Sequence, residues 1–277
     1  MKNLGISEQL MYSTVRIECV LNGGSRSTGT GYFFKFLEGE NGRHVPCIVT
    51  NKHVVDGAIN GKILFTTSDS NGDPVNTDHF IIEYNNFQQH FIYHPDPNVD
   101  LCIIPIAEAV QTASQKGKNL FYIALDKNLI PTVEQMEQLG AIEEVNMIGY
   151  PNGLWDQVNN LPIIRKGITA THPKFNYNGK EEVVIDAACF PGSSGSPVII
   201  LNEGTYRQGS TVHVGSRVLL LGTLYAGPQF TAKGEIVQMN IPSEGVFAVR
   251  QMMNLGYVIK AKKLLDFEII LNKLIKQ

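Results

Sequence analysis

An all-β fold, built as two packed barrels or as one large sandwich, is what this sequence predicts, and three observations point to it. Short β-branched or aromatic runs recur about a dozen times, broken by Gly, Pro, Asn and Asp, the mark of many short strands. The chain is 277 residues long and 43% hydrophobic, enough for a large core. No repeat, low-complexity tract or linker interrupts it, and helical periodicity is confined to the two ends.

Taken in order, Ser7–Met11 has room for one short helical turn. Strands are then expected at Thr14–Val20, Gly31–Phe36, Val45–Asn51, Lys62–Thr67, Phe80–Tyr84 and Leu101–Ile106. A second set follows at Val145–Tyr150, Ile163–Thr169, Glu182–Ala187, Pro197–Leu201, Val218–Tyr225, Glu235–Asn240 and Tyr257–Lys260. Residues 261–276 carry Leu264, Leu265, Ile269 and the Leu271–Ile275 run at helical spacing, which predicts an amphipathic helix packed on its own domain.

Composition removes several function classes. Lys and Arg number 23 against 26 Asp and Glu, a net charge of −3 with no basic run, so no nucleic-acid partner is expected, since phosphate contacts need a basic stripe. No apolar stretch approaches the roughly 20 residues of a membrane span, and the N-terminal residues lack the apolar core of a signal peptide; a cytoplasmic protein without membrane contact is expected. Cys19, Cys47, Cys102 and Cys189 are widely spaced among apolar neighbours, which reads as buried reduced thiols rather than a disulfide framework or a metal site. Gly23-Gly24 and Gly29-Thr30-Gly31 are not followed by the Lys-Ser/Thr of a phosphate loop. Neither metal nor cofactor is expected.

Three segments stand apart. Ile48–Asp56 runs from a strand into a turn bearing His53; Asn98–Ile106 places Asp100 at the mouth of an apolar strand; Phe190–Pro197 is a loop of small residues centred on Ser194. Alone, each is ordinary: a surface histidine, a turn aspartate, a Gly/Ser/Pro loop. Together they supply a nucleophile, a base and an orienting carboxylate, which a weakly nucleophilic serine requires. The neighbouring glycines suit an oxyanion hole made of backbone N–H groups. Chain order discriminates among known triads. No aspartate precedes His53, which excludes the subtilisin order; only His213 follows Ser194, with Glu203 the sole acid between them, which leaves no room for the α/β-hydrolase order. The order His53, Asp100, Ser194 remains. Asp56 and Asp96 fit the carboxylate role less well because neither opens a buried strand.

On these residues the chain resembles the trypsin-like, chymotrypsin-fold serine peptidases along nearly its whole length. Gly29-Thr30-Gly31-Tyr32-Phe33 is similar to that family's early glycine-bearing strand. Thr50–Asp56 and Gly192–Val198 resemble the glutamyl endopeptidases; Asp186-Ala187-Ala188 before Pro191-Gly192, and Asn254–Ile259 before the last helix, resemble HtrA-type protease domains. The resemblance implies two six-stranded antiparallel barrels, at about 12–125 and about 135–260, within one peptidase domain ending in the 261–276 helix. It implies Ser194 as nucleophile, His53 as general base and Asp100 as its orienting carboxylate. The N–H groups of Gly192 and Ser194 would form the oxyanion hole, and Ala188, Cys189, Tyr225, Gly227 and Gly256 the specificity pocket. With Ala188 at the pocket floor, an apolar residue before the scissile bond is expected. The implied partners are a protein or peptide substrate and a protein that activates or inhibits.

Two departures qualify the resemblance. Val54 stands where secreted members carry a cysteine after the catalytic histidine, in keeping with a reducing compartment. Ser193 stands where zymogen-activated members carry an aspartate, so activation by a freed N-terminus is not expected, and restraint falls to conformation or a partner. The 227–253 stretch is the candidate gating element, since long loops are often functional. No PDZ domain is expected after the peptidase domain. The competing reading is a catalytically silent binding module on the same fold.

Overall fold

The first strands form one antiparallel sheet. The computed structural model describes residues 4–235 and 246–275. The first sheet contains β1 (Thr14–Leu21), β2 (Arg26–Phe36), β3 (Val45–Thr50), β4 (Ala58–Ser68), β5 (Pro74–Asn85), β6 (Ile92–Tyr93), β7 (Cys102–Pro105) and β8 (Asn119–Phe121). Their order is β5-β4-β1-β2-β3-β7-β6, with β8 added to β4. The second unit comprises β9 (Glu144–Gly149), β10 (Ile163–Thr169), β11 (Glu182–Asp186), β12 (Pro197–Asn202), β13 (Thr205–Gln208), β14 (Thr211–Val214), β15 (Arg217–Ala226), β16 (Gln229–Glu235), β17 (Val246–Met252) and β18 (Leu255–Lys260). Six of these close a barrel in the order β10-β11-β18-β15-β12-β9; β13–β14 and β16–β17 are separate hairpins.

The fold is therefore mostly β and chymotrypsin-like, with one closed six-stranded barrel and one barrel-like sheet. The first sheet has eight strands rather than six. The two additional ones, β6 and β8, span two and three residues, too few to show an alternation. Helices are not confined to the ends, contrary to the sequence expectation. Besides α1 (Ile6–Met11) there are α2 (Lys52–Val55), α3 (Ala107–Gln115) and α4 (Val133–Gln138). In α3 only the small Ala109 and Ala113 are buried, one turn apart, so no large apolar stripe marks it. In α4 the Thr132 hydroxyl accepts from Gln135 N at 3.2 Å and the Gln135 side chain accepts from Thr132 N at 2.9 Å, a capping box that local sequence does encode. The expected C-terminal helix is present and opens on a tighter turn. Ala261–Leu265 is a 3₁₀ turn, and α5 runs Asp266–Ile275; residue 276 lies outside the described residues, as do 236–240 of the strand expected at Glu235–Asn240.

Each unit has its own core, around Ile17, Phe33, Ile48 and Phe65 in the first and Val145, Ile185, Val198 and Leu221 in the second. A third cluster joins them: Tyr32 and Phe34 of β2 meet Ile148, Ile199 and Ile259 of the barrel, with Leu264 and Phe267 of the C-terminal turn and helix closing it. The buried Tyr32 hydroxyl is 2.8 Å from Thr223 Oγ1, across the two units. The four cysteines are buried and free, and desolvation pushes the Cys19 and Cys47 thiols up to about 12.

One ion pair bears on stability. Arg217 donates to Glu143 Oε2 at 2.5 Å and to Asn202 Oδ1 at 2.9 Å, while Glu143 Oε1 accepts from Gly140 N at 2.7 Å. Both side chains are only about a tenth exposed, at 11% and 10%. Glu143→Ala strands a buried guanidinium, and a loss of about 3–5 kcal/mol is expected, read as a lowered urea midpoint. A midpoint that does not move would show the pair to be dispensable.

Candidate active site

His53, Asp100 and Ser194 come from three different connections. After β3, Asn51 holds an extended conformation (φ −87°, ψ 149°) and turns the chain into α2, whose second residue is His53. Asp100 lies in the lead-in to β7, and Ser194 in the loop between β11 and β12. His53 and Asp100 are in direct contact. The ring Nδ1–H donates to Asp100 Oδ2 at 2.5 Å, and the His53 backbone N–H donates to Oδ1 at 3.1 Å. A carboxylate engaged in this way fixes the tautomer and leaves Nε2 as the ring's proton acceptor. The competing carboxylates are occupied elsewhere: Asp96 Oδ1 accepts from Asn98 N at 2.9 Å, and Asp56 Oδ1 from Gln88 Nε2 at 3.1 Å.

Two positioning groups went unnoticed in the sequence. Asn51 is fully buried and donates from Nδ2 to the Asp100 carbonyl at 2.7 Å. Thr30, also fully buried, ties the serine loop to the first sheet: its N–H donates to the Ser194 carbonyl at 2.9 Å and its hydroxyl to the Gly192 carbonyl at 2.9 Å. Thr50 Oγ1 in turn donates to the Thr30 carbonyl at 2.7 Å. The Gly29-Thr30-Gly31 segment thus has a structural purpose, bridging the two halves of the site.

Gly192 and Gly195 adopt φ of +85° and +87°, a region that side chains disfavour. A Cβ on Gly195 would lie 2.6 Å from Thr50 Oγ1 and on top of the Thr30 carbonyl. The N–H groups of Gly192 and Ser194 donate to no acceptor among the described residues. They are therefore available to a developing oxyanion. A Cβ on Gly192 would sit 2.6 Å from the Tyr150 carbonyl oxygen, displacing this loop. Gly192→Ala is expected to slow fluorophosphonate labelling by about 10²–10³-fold, the typical effect of losing one oxyanion donor, with the fold retained by circular dichroism. Undiminished labelling would remove Gly192 from the site.

The Ser194 hydroxyl itself donates to the Tyr225 carbonyl at 3.4 Å and makes no hydrogen bond to His53 among the described residues. The His53–Asp100 dyad is formed without the serine.

The expected pocket residues do not all converge. The Cys189 thiol is buried in the barrel core, desolvated up to about 11, and sits where a Cβ on Gly256 would meet it at 2.6 Å. Tyr225 offers its carbonyl to Ser194, while its ring packs on the inter-barrel cluster and toward Tyr257, centroids 6.2 Å apart. Its phenol is pushed up by burial and by the neighbouring Glu182. Gly227 follows β15 directly, ahead of the β16–β17 hairpin formed by the flanks of the 227–253 stretch; residues 236–245 of that stretch lie outside the described residues. Ala188 is half-buried, and its carbonyl accepts from Arg165 Nη1 at 2.9 Å. Arg165 also lies over the Phe190 ring, 4.6 Å from its centroid. It approaches from β10, and nothing in the local sequence around Ala188 announces it.

Among the described residues no cluster of His, Cys, Asp or Glu could hold a metal ion. The profile of the trypsin-like peptidase domain matches residues 29–206, more than half of the chain. The chain belongs to the trypsin-like peptidase domain family. Several solved structures are similar. The catalytically inactive tobacco etch virus protease complexed with substrate is similar at 12% identity over 98% of this chain and 87% of that one, with a TM-score of 0.51. The HtrA-type protease AlgW is similar at 17% identity and a TM-score of 0.48 over 95% of this chain, which spans 60% of AlgW's own length. The Rv3671c protease of M. tuberculosis H37Rv is 14% identical over 96% of this chain and 90% of its own, with a TM-score of 0.43. No curated protein matches the chain. Within this trypsin-like peptidase domain, the matched span 29–206 contains His53, Asp100 and Ser194. Among the described residues no helix is long and apolar enough to cross a membrane.

Proposed function

We propose that this peptidase domain is a serine endopeptidase that cleaves peptide bonds through an acyl-enzyme on Ser194. The observation that carries the reading is the His53–Asp100 pair, oriented by two hydrogen bonds at 2.5 and 3.1 Å, with the serine loop tied to the first sheet by Thr30. In the reaction His53 Nε2 takes the Ser194 proton as Oγ attacks the scissile carbonyl. The carbonyl oxygen turns to the Gly192 and Ser194 N–H groups, and the imidazolium returns the proton to the leaving amine. Water then repeats the sequence on the acyl-enzyme.

Restraint by conformation or by a protein partner belongs to the same proposal. Ser194 is hydrogen-bonded to the Tyr225 carbonyl rather than to His53, so a working triad requires the serine hydroxyl to leave that contact. Ser193 is buried with an uncharged hydroxyl, which offers no anion to a freed N-terminal ammonium. The substrate residue before the scissile bond is apolar in this reading, since the Arg165 guanidinium is engaged by the Ala188 carbonyl and the Phe190 ring. A cleavage profile with strong Arg preference would overturn that, and strong Asp or Glu preference would implicate Arg165 instead. Four buried free thiols support a reducing, cytoplasmic setting.

The second reading, a silent binding module, is favoured by the same Ser194–Tyr225 contact. Labelling of purified protein with a fluorophosphonate probe, with Ser194→Ala as control, decides between them. Labelling confined to the unaltered protein supports the peptidase. No labelling, either purified or in cell lysate where an activator is present, supports the module. Narrow specificity is part of the same proposal, and free digestion of casein at neutral pH would contradict it.

A further inference from the structure

We propose that His94 is a positioning residue for the active site, and that it makes the placement of Asp100 depend on the C-terminal turn and helix. This rests on the peptidase reading of the His53–Asp100 pair.

Asp100 lies on a short loop between β6 and β7. The strands pair Tyr93 with Cys102, and the His94 N–H donates to the Leu101 carbonyl at 2.9 Å, adding one more rung. Residues 95–100 are what remains, and His94 is the last fixed point before them. Its ring is completely buried and uses both nitrogens. Nδ1 accepts from the Asp96 N–H at 3.1 Å, which requires the proton on Nε2. Nε2–H then faces two acceptors from the C-terminal segment, the Lys263 carbonyl at 3.2 Å and Asp266 Oδ2 at 3.1 Å. Phe267 of α5 packs edge-on against the ring, centroids 5.3 Å apart.

Besides the Asn51 bond to the Asp100 carbonyl, the loop is held from two directions. On one side Lys52, the residue before His53, donates to the Asp96 carbonyl at 3.0 Å. On the other, His94 ties the Asp96 N–H to the turn ahead of α5. That turn is anchored in its own right to the second unit, where Lys263 pairs with Glu181 at 2.7 Å. A buried polar ring with both nitrogens satisfied orients a backbone segment more sharply than apolar packing does. Asp100 must meet His53 with both oxygens, so small displacements of the loop are felt at the dyad.

The test is a double-mutant cycle read by the rate of fluorophosphonate labelling, which needs no knowledge of the natural substrate. Unaltered protein, His94→Ala, Asp100→Asn and the double variant are compared. His94→Ala is expected to slow labelling by about tenfold or more, and to have little additional effect in the Asp100→Asn background, because its effect passes through that carboxylate. Asp266→Ala, a partly exposed position, is expected to show a weaker form of the same pattern. Should His94→Ala unfold the protein, Asp266→Ala carries the cycle alone. The independent readout is the strongly deshielded Nδ1 proton of the His53–Asp100 hydrogen bond in proton NMR. It is expected in the unaltered protein, absent in Asp100→Asn, and weakened or exchange-broadened in His94→Ala. Equal slowing in both backgrounds, or an unchanged NMR signal with only the melting temperature lowered, would overturn the proposal and leave His94 as an ordinary core residue. A protein that never labels but retains an NMR signal sensitive to His94 would fail the peptidase reading while upholding the positioning role.

Discussion

Ser194→Ala is expected to abolish fluorophosphonate labelling and to lower turnover of an activated ester by on the order of 10⁶-fold. The reasoning is one of units rather than of contacts. A serine hydroxyl attacks only when a base removes its proton in the same step, and His53 is the base that the structure prepares, with Nδ1 committed to Asp100 at 2.5 Å. Removing either member removes the step, so His53→Ala is expected to cost about as much as Ser194→Ala, and the double variant no more than either. The fold has little stake in the serine side chain. Its hydroxyl makes a single long hydrogen bond, to Tyr225 at 3.4 Å, so the variant's melting temperature is expected to stay close to that of the unaltered protein. A Ser194→Ala protein that still labels, with His53 required, would direct the search to another nucleophile in the same loop, where Ser193 and Ser196 also have buried hydroxyls.

How far the site could be read from sequence depended on whether a residue's partner was local. His53, Asp100 and Ser194 could be proposed from the sequence because each sits in a short segment with its own character and because chain order excluded the other triads; the structure brings His53 to Asp100. The glycines of the serine loop were legible for the same reason, and their φ of +85° and +87° account for the choice of residue. Thr30 and Asn51 were not legible as positioning groups. Their hydrogen bonds reach 162 and 49 residues along the chain, and a buried threonine or asparagine looks like any other in a strand. Arg165 was missed because a strand edge 23 residues from Ala188 carries no sign of what lies beside it. The expected pocket residues are a different case. Adjacent positions in extended chain point to opposite faces, so knowing the segment did not say which side chains face the cleft: Cys189 turned into the barrel core, and Tyr225 contributed a carbonyl. In the fold itself, α3 escaped because its buried face consists of alanines, whereas the capping box of α4 was present in the letters Thr132 and Gln135 and could have been found.

Asp100→Asn is the sharper test, because it changes one atom's chemistry and almost nothing of its shape. The carboxylate accepts two hydrogen bonds from one residue, the ring Nδ1–H on Oδ2 and the backbone N–H of His53 on Oδ1. An asparagine has one acceptor and one donor to offer. If its oxygen stays on the backbone N–H, its amino group faces Nδ1 and forces the ring into the opposite tautomer. The proton then sits on Nε2, where the Ser194 proton has to go. If the amide flips, its amino group opposes the backbone N–H, and two donors meet at a distance of about 3 Å. The first arrangement removes the base, the second keeps it only against two opposed donors, and neither supplies the negative charge that stabilises an imidazolium once it has formed. A loss of about 10⁴-fold in turnover at neutral pH is expected, the size associated with a wrong tautomer in such a triad, together with a normal far-UV spectrum. Binding of a peptide-like inhibitor that does not react with serine should be unchanged, since the substitution leaves the cleft intact. A variant that keeps a tenth or more of its activity would mean that Asp100 is not the carboxylate on which the base depends.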